Sequence, residues 1–117
     1  MKSVLFTLTI FLAIAIKKCS EPKQDKIPAC IQKRIEEIKK EPRWNPPAEV
    51  YEYNYNGKTV YYFSADCCDN FNTVVDENCN AICSPSGGLT GKGDGKCKDF
   101  NSTAKKIRLV WKDERDK

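Results

Sequence analysis

The chain has 117 residues, with 20 Lys and Arg against 16 Asp and Glu, seven cysteines and no histidine. The missing histidine removes Ser-His and Cys-His nucleophile pairs and histidine zinc sites from consideration. Lys2, Lys17 and Lys18 precede Cys19, so the remainder holds 17 basic against 16 acidic residues, a net +1 that leaves no footprint for nucleic acid or an anionic membrane surface.

Residues 1–18 read as a signal sequence, with Lys2 as its positive start and an apolar run from Val4 to Ile16. At about 1.5 Å per residue that run reaches roughly 20 Å, short of the ~30 Å core of a bilayer, so a retained span is not expected. Two processing routes stay open. Ala13-Ile14-Ala15 fits the small-x-small rule and would release a chain starting at Ile16, whereas cleavage before Cys19 would make that cysteine a lipidation site. Parity favours Cys19, because its removal leaves six cysteines that can all pair, but Lys18 stands where a lipoprotein box wants a small residue. A polar tether over 19–26 would then lead into a single domain over 27–112. A chain this small buries only about 60–65% of its unfolded surface, so cross-links matter to it.

Within the domain, Pro28 to Lys40 reads as a helix. Ile27, Ile31, Ile35 and Ile38 form one apolar stripe, Pro28 suits the first turn, and Glu41-Pro42 stops the run. Arg43-Trp44-Asn45-Pro46-Pro47 is a stiff connector with one aromatic anchor. Val50–Tyr55 and Lys58–Phe63 flank Asn56-Gly57, the preferred pair for a type I′ hairpin turn. The implied register puts Tyr51, Tyr53, Val60 and Tyr62 on one face, taken as the seat for the isoleucine stripe, and Val50, Tyr61 and Phe63 on the other. A second hairpin is expected from Asn72–Asp76 and Asn80–Cys83, and a closing strand over Lys105–Lys112 with Ile107, Leu109 and Trp111 on one side. The expected class is α+β: one N-terminal helix packed on a small antiparallel sheet, disulfide-stapled, with a Gly-rich loop.

The cysteines of the domain are Cys30, Cys67, Cys68, Cys79, Cys83 and Cys97, all disulfide candidates. Adjacent residues of an extended segment point to opposite sides, so Cys67 and Cys68 are expected to take different partners. A bridge such as Cys68 to Cys97 would stabilise by roughly 3–4 kcal/mol in the chain-entropy picture. No catalytic residue, metal site or cofactor is expected. The loop after Ser86 fails the phosphate-loop pattern, offers only Asp94 toward a calcium loop, and the chain lacks Cys-x-x-Cys spacing. Asp66 and Asp69 read as turn caps. Gly87, Gly88, Gly91, Gly93 and Gly95 make the loop either a structural lasso or a rigid recognition loop presenting Ser86, Thr90, Lys92 and Asp94.

The run Cys67-Cys68-Asp69, the pair Phe71-Asn72, then Ile82-Cys83-Ser84-Pro85-Ser86-Gly87-Gly88, Thr90-Gly91-Lys92-Gly93-Asp94-Gly95 and Cys97 resembles the signature of an uncharacterised family of small exported, cysteine-rich proteins of Bacteroidetes-type bacteria, often lipoproteins. The resemblance spans about residues 28–100 and is densest over 66–100. It implies export and this architecture, with no activity to carry over. The functional expectation is an exported, lipid-anchored, non-enzymatic binding or structural module of the cell envelope. Its partner would be an envelope or extracellular protein or glycan. The alternative is a secreted inhibitor of an envelope enzyme such as a protease, with a thiol-redox role for Cys67-Cys68 behind both.

Overall fold

Strands β1 (Glu49–Tyr55) and β2 (Lys58–Phe63) meet at Asn56-Gly57, whose φ angles of 52° and 77° are those of the expected I′ turn. Tyr55 opposes Lys58, Tyr53 opposes Val60, Tyr51 opposes Tyr62 and Val50 opposes Phe63, the register that a two-residue turn dictates. The computed structural model describes residues 26–116. The leader, Cys19 and all of the expected tether but Lys26 lie outside the described residues.

The second hairpin pairs β3 (Phe71–Val75) with β4 (Ala81–Gly87). Its turn is tied by one side chain: Asp76 Oδ1 accepts from the backbone N–H of Asn78 (2.9 Å) and of Asn80 (2.8 Å). These donors hold the Asp76 carboxyl below the usual carboxylate range. The chain then passes through the glycine loop and the short helix α2 (Phe100–Thr103) to β5 (Lys105–Lys112). That last strand lies antiparallel to β1, so the sheet runs β4-β3-β2-β1-β5. A meander of four strands is closed by a long return across one face, a Greek-key variant.

The expected α+β class is corrected. The fold is mostly a five-stranded antiparallel sheet, with helix confined to the 11 residues of α1 (Ala29–Lys39) and the 4 of α2. A helix about 10 Å across covers roughly two strands spaced about 4.8 Å apart, so α1 cannot form a layer over five. It serves the sheet as an accessory. The expected seat is also corrected. Ile31, Ile35 and Ile38 cluster with Ala48, Val50, Tyr61, Phe63 and Val75, the face opposite the tyrosine ladder. The ladder is taken instead by Phe100, which the return connection lays beside Val60, Val74, Cys83 and Cys97, with Tyr53, Tyr55 and Tyr62 against them. The return connection explains the exchange: it brings Phe100 onto the tyrosine face together with Asp99, which accepts from the Tyr55 hydroxyl, a polar partner that an isoleucine stripe lacks.

Two bulges in the β1–β5 pairing interrupt the expected alternation of β5. Ile107 and Leu109 stay exposed at the sheet edge, while Val110 and Trp111 both reach the isoleucine cluster. Contacts continue past the strand. Asp113 is buried, its carboxylate accepts from Arg115 Nε (2.9 Å) and Nη2 (2.8 Å), and Arg115 Nη1 donates to the Lys39 carbonyl at the end of α1 (2.8 Å). That bond satisfies a helix C-terminal carbonyl with a cation, the favoured sign there.

All six domain cysteines are paired: Cys30–Cys79, Cys67–Cys68 and Cys83–Cys97. The expectation that Cys67 and Cys68 take different partners is corrected, since they bond to each other. The alternation argument presumed a strand, but 64–70 is an irregular loop. Three disulfides mark an oxidising, extracellular environment.

Candidate functional site

Two neighbouring features stand out: the glycine loop and a cleft beside it. The loop is closed by Cys83–Cys97, whose Cα atoms are 5.9 Å apart, and it folds back on the strand it leaves. Asp94 N–H donates to the Ser84 carbonyl (2.9 Å), Gly93 N–H to the Gly87 carbonyl (3.0 Å), and Gly87 forms a parallel bridge with Lys92. A side chain at Gly93 would overlap the Ser84 carbonyl oxygen, and φ there is +77°, so glycine is required on both counts.

The four residues expected to present the loop are distributed unequally. Ser86 is half-buried, with its Oγ 3.2 Å from the Tyr62 hydroxyl and accepting from Asn72 Nδ2 (3.0 Å). Thr90 and Lys92 are exposed at the turn, where Lys92 N–H donates to Thr90 Oγ1 (3.3 Å). The Asp94 carboxylate accepts from Lys96 N–H (3.0 Å), which lowers its pKa. Thr90, Lys92 and Asp94 thus lie together on the loop, and Ser86 belongs to the polar network beneath it. Leu89, between them, is 88% exposed.

The cleft, about 350 Å³, opens between the second half of α1 and the loop 64–71. Arg34, Glu37 and Glu41 line one side, Asp66, Asn70 and Phe71 the other, with Trp44 and Phe63 among the remaining walls. Several of them are positioned by particular contacts. The Arg34 guanidinium lies 4.3 Å over the Phe63 ring. Trp44 Nε1 donates to Glu41 Oε2 (2.8 Å). Asp66 Oδ1 accepts from the backbone N–H of Asn45 and of Cys67, each at 3.0 Å, and Cys67 N–H also reaches the Asn45 carbonyl at 3.2 Å. The connector that carries Trp44 is thereby fastened to the loop that carries the exposed vicinal disulfide.

Phe71 joins the two features. It is 50% exposed at the cleft, yet a Cβ at Gly88 would sit 2.5 Å from its ring, so the loop backbone packs directly behind it. Gly88 N–H donates to the Asn70 carbonyl (3.1 Å), and Asn72 Oδ1 accepts from Ala65 N–H (2.8 Å) while its amide donates to Ser86. An exposed aromatic ring is held by a loop that is itself stapled. Sequence reasoning identified Trp44 as an anchor and Asp66 as a turn cap but did not bring them together. Arg34, Glu37, Asn70 and Phe71 were not read as site residues, because the cleft is assembled from a helix, a connector, a loop and a strand.

Among the described residues, no group of three or more His, Cys, Asp or Glu side chains could hold a metal ion, and no helix is long and apolar enough to cross a membrane. A family model described as "Domain of unknown function (DUF6970)" matches residues 36–113. No curated protein and no solved structure matches the chain.

Proposed function

The chain belongs to this domain family of unknown function, and we propose that it is an exported, non-enzymatic binding module of a Bacteroidetes-type cell envelope, anchored through Cys19 and working through the cleft beside α1. The observation that carries the reading is Phe71: a large apolar ring kept half in water and braced by backbone at a mixed polar and aromatic cleft. Exposed aromatic groups held rigid from behind lose little conformational freedom on binding, which is how a small stapled domain gains affinity. The paired cysteines support export, and parity supports Cys19 as the anchor.

Two measurements test this reading. Intact mass of the exported protein, reduced and alkylated or not, is expected to show acylated Cys19 and no free thiol; a chain beginning at Ile16 with a free Cys19 would remove the anchor. With Trp111 replaced by Phe, Trp44 becomes the sole tryptophan, and its emission is expected to change on adding solubilised host envelope material. Phe71→Ala should abolish that change, and an unaltered response in this variant would remove the cleft.

One observation favours the inhibitor as a second reading. Leu89 stands 88% exposed at the tip of a loop closed by its own disulfide, a shape suited to plugging an enzyme's pocket. Leu89→Asp should abolish inhibition of a susceptible envelope protease, and no inhibition across a protease panel would end this reading.

A further inference from the structure

We infer that the cleft takes an uncharged saccharide, an inference resting on the binding-module reading above. The walls combine two kinds of surface that such a ligand requires. Phe71 and Trp44 offer ring area against which the C–H face of a sugar can lie, driven by apolar burial. Around them stand groups with unused hydrogen-bonding capacity. Among the described residues, the Arg34 guanidinium and the Glu37 carboxylate make no hydrogen bond, and Asp66 uses only Oδ1, leaving Oδ2 for a ligand. Guanidinium forks and carboxylates hold paired donors or acceptors in fixed geometry, which matches two adjacent hydroxyls that can each donate and accept.

Charge decides against an anionic ligand: the three carboxylates of Glu37, Glu41 and Asp66, set against the one guanidinium of Arg34, oppose a phosphate or other anion. Glu41 already accepts from Trp44 and Asp66 from two backbone N–H groups, so two of the three carboxylates are partly solvated by the protein itself. A ligand that is polar and neutral satisfies both signs at once. The volume, about 350 Å³, falls at the lower end of the ~300–1,000 Å³ typical of small-molecule sites, which indicates a short saccharide segment rather than a broad surface.

The test uses the full exported protein, oxidised, carrying Trp111→Phe so that Trp44 reports the cleft. Cello-oligosaccharides, chito-oligosaccharides and manno-oligosaccharides are titrated alongside a Lys-rich peptide and inorganic phosphate. A saturable change in Trp44 emission with at least one oligosaccharide, at a Kd of about 0.1 mM, is expected. Phe71→Ala should weaken it at least about tenfold, the equivalent of about 1.4 kcal/mol. Glu37→Gln, on the exposed helix surface where folding is not at stake, should weaken it several-fold, and Ile107→Ser, at the far sheet edge, should leave it unchanged. Binding of the peptide or phosphate alone, lost in Phe71→Ala, would overturn the saccharide assignment and keep the cleft. A complete blank, or saccharide binding indifferent to Phe71→Ala and Glu37→Gln, would overturn both.

Discussion

The face of the sheet beneath α1 is closed by aliphatic side chains, whereas the opposite face is closed by rings whose hydroxyls stay wired to polar groups. Ile31, Ile35 and Ile38 are at most 8% exposed, and Cys30–Cys79 ties the start of their helix to the turn between β3 and β4. On the other side Tyr51 OH donates to Glu49 (2.7 Å), Tyr55 OH to Asp99 (2.6 Å), and Tyr62 OH lies against Ser86. Lys106 sits 4.3 Å over the Tyr51 ring. The first face is shape-filling and needs a covalent clamp because its cover is a single short helix. The second has an irregular chain as its cover and keeps it in place by many polar contacts around one buried ring, Phe100.

The most severe way to break this contrast is to cut the clamp. Cys30→Ser with Cys79→Ser, opening a separation of 49 residues, is expected to cost about 4 kcal/mol, against about 3 kcal/mol for Cys83→Ser with Cys97→Ser at a separation of 14. Urea midpoints would show the order, and the reverse order would mean that α1 is held by packing alone. Phe100→Ala, removing the ring that centres the tyrosine face, should cost about 4 kcal/mol, and Ile31→Ala about 3 kcal/mol. Both are read from the same denaturation curves, and equal small losses would show that neither face is well packed. The Cys67–Cys68 disulfide closes almost no loop, so replacing both by Ser is expected to cost about 1 kcal/mol or less. A loss as large as that of the clamp would give the 64–71 loop a structural weight beyond shaping the cleft.

The gentlest probe is pH. Tyr51 is pushed up to about 12, chiefly because its hydroxyl donates to the Glu49 carboxylate, and Tyr61, on the other face, to about 12, chiefly by burial. Both folded values lie above the unfolded value near 10, so the fold favours the neutral phenol. The stability they contribute is fully present below about pH 10 and is lost as pH rises through about 12. Phenolate absorbance should therefore lag behind that of the urea-unfolded chain across this window. Glu49→Gln is expected to bring Tyr51 back toward 10 and leave Tyr61 unmoved; a shift of both would mean that the faces are coupled.

The elements were largely legible before the structure, and their assembly was not. Asn56-Gly57 dictated a turn and hence a register, because only a left-handed pair closes a two-residue hairpin with the right twist. Alternation marked Lys105–Lys112 as a strand but could not reveal the bulges that turn Ile107 and Leu109 outward. Nor does a hairpin state which of its faces a helix will choose. Both faces here are aromatic, and the choice rests on Phe100, nearly forty residues downstream of Tyr62. The Cys67–Cys68 pairing was missed because side-chain alternation applies only to extended backbone. The cleft escaped for a related reason: Arg34, Trp44, Asp66 and Phe71 belong to a helix, a connector, a loop and a strand, with no shared spacing to read.

The helix also has a direction. It begins at Ala29, while Glu37, on the wall of the cleft, lies near its far end about 12 Å along the axis from the start, and Glu41 follows just past that end. Any attachment at the amino-terminal side therefore leaves that opening displaced along the axis, like a cup on a short stem. Under the proposed anchoring through Cys19, lengthening the segment before Pro28 would alter how far the opening reaches from the membrane without altering its shape.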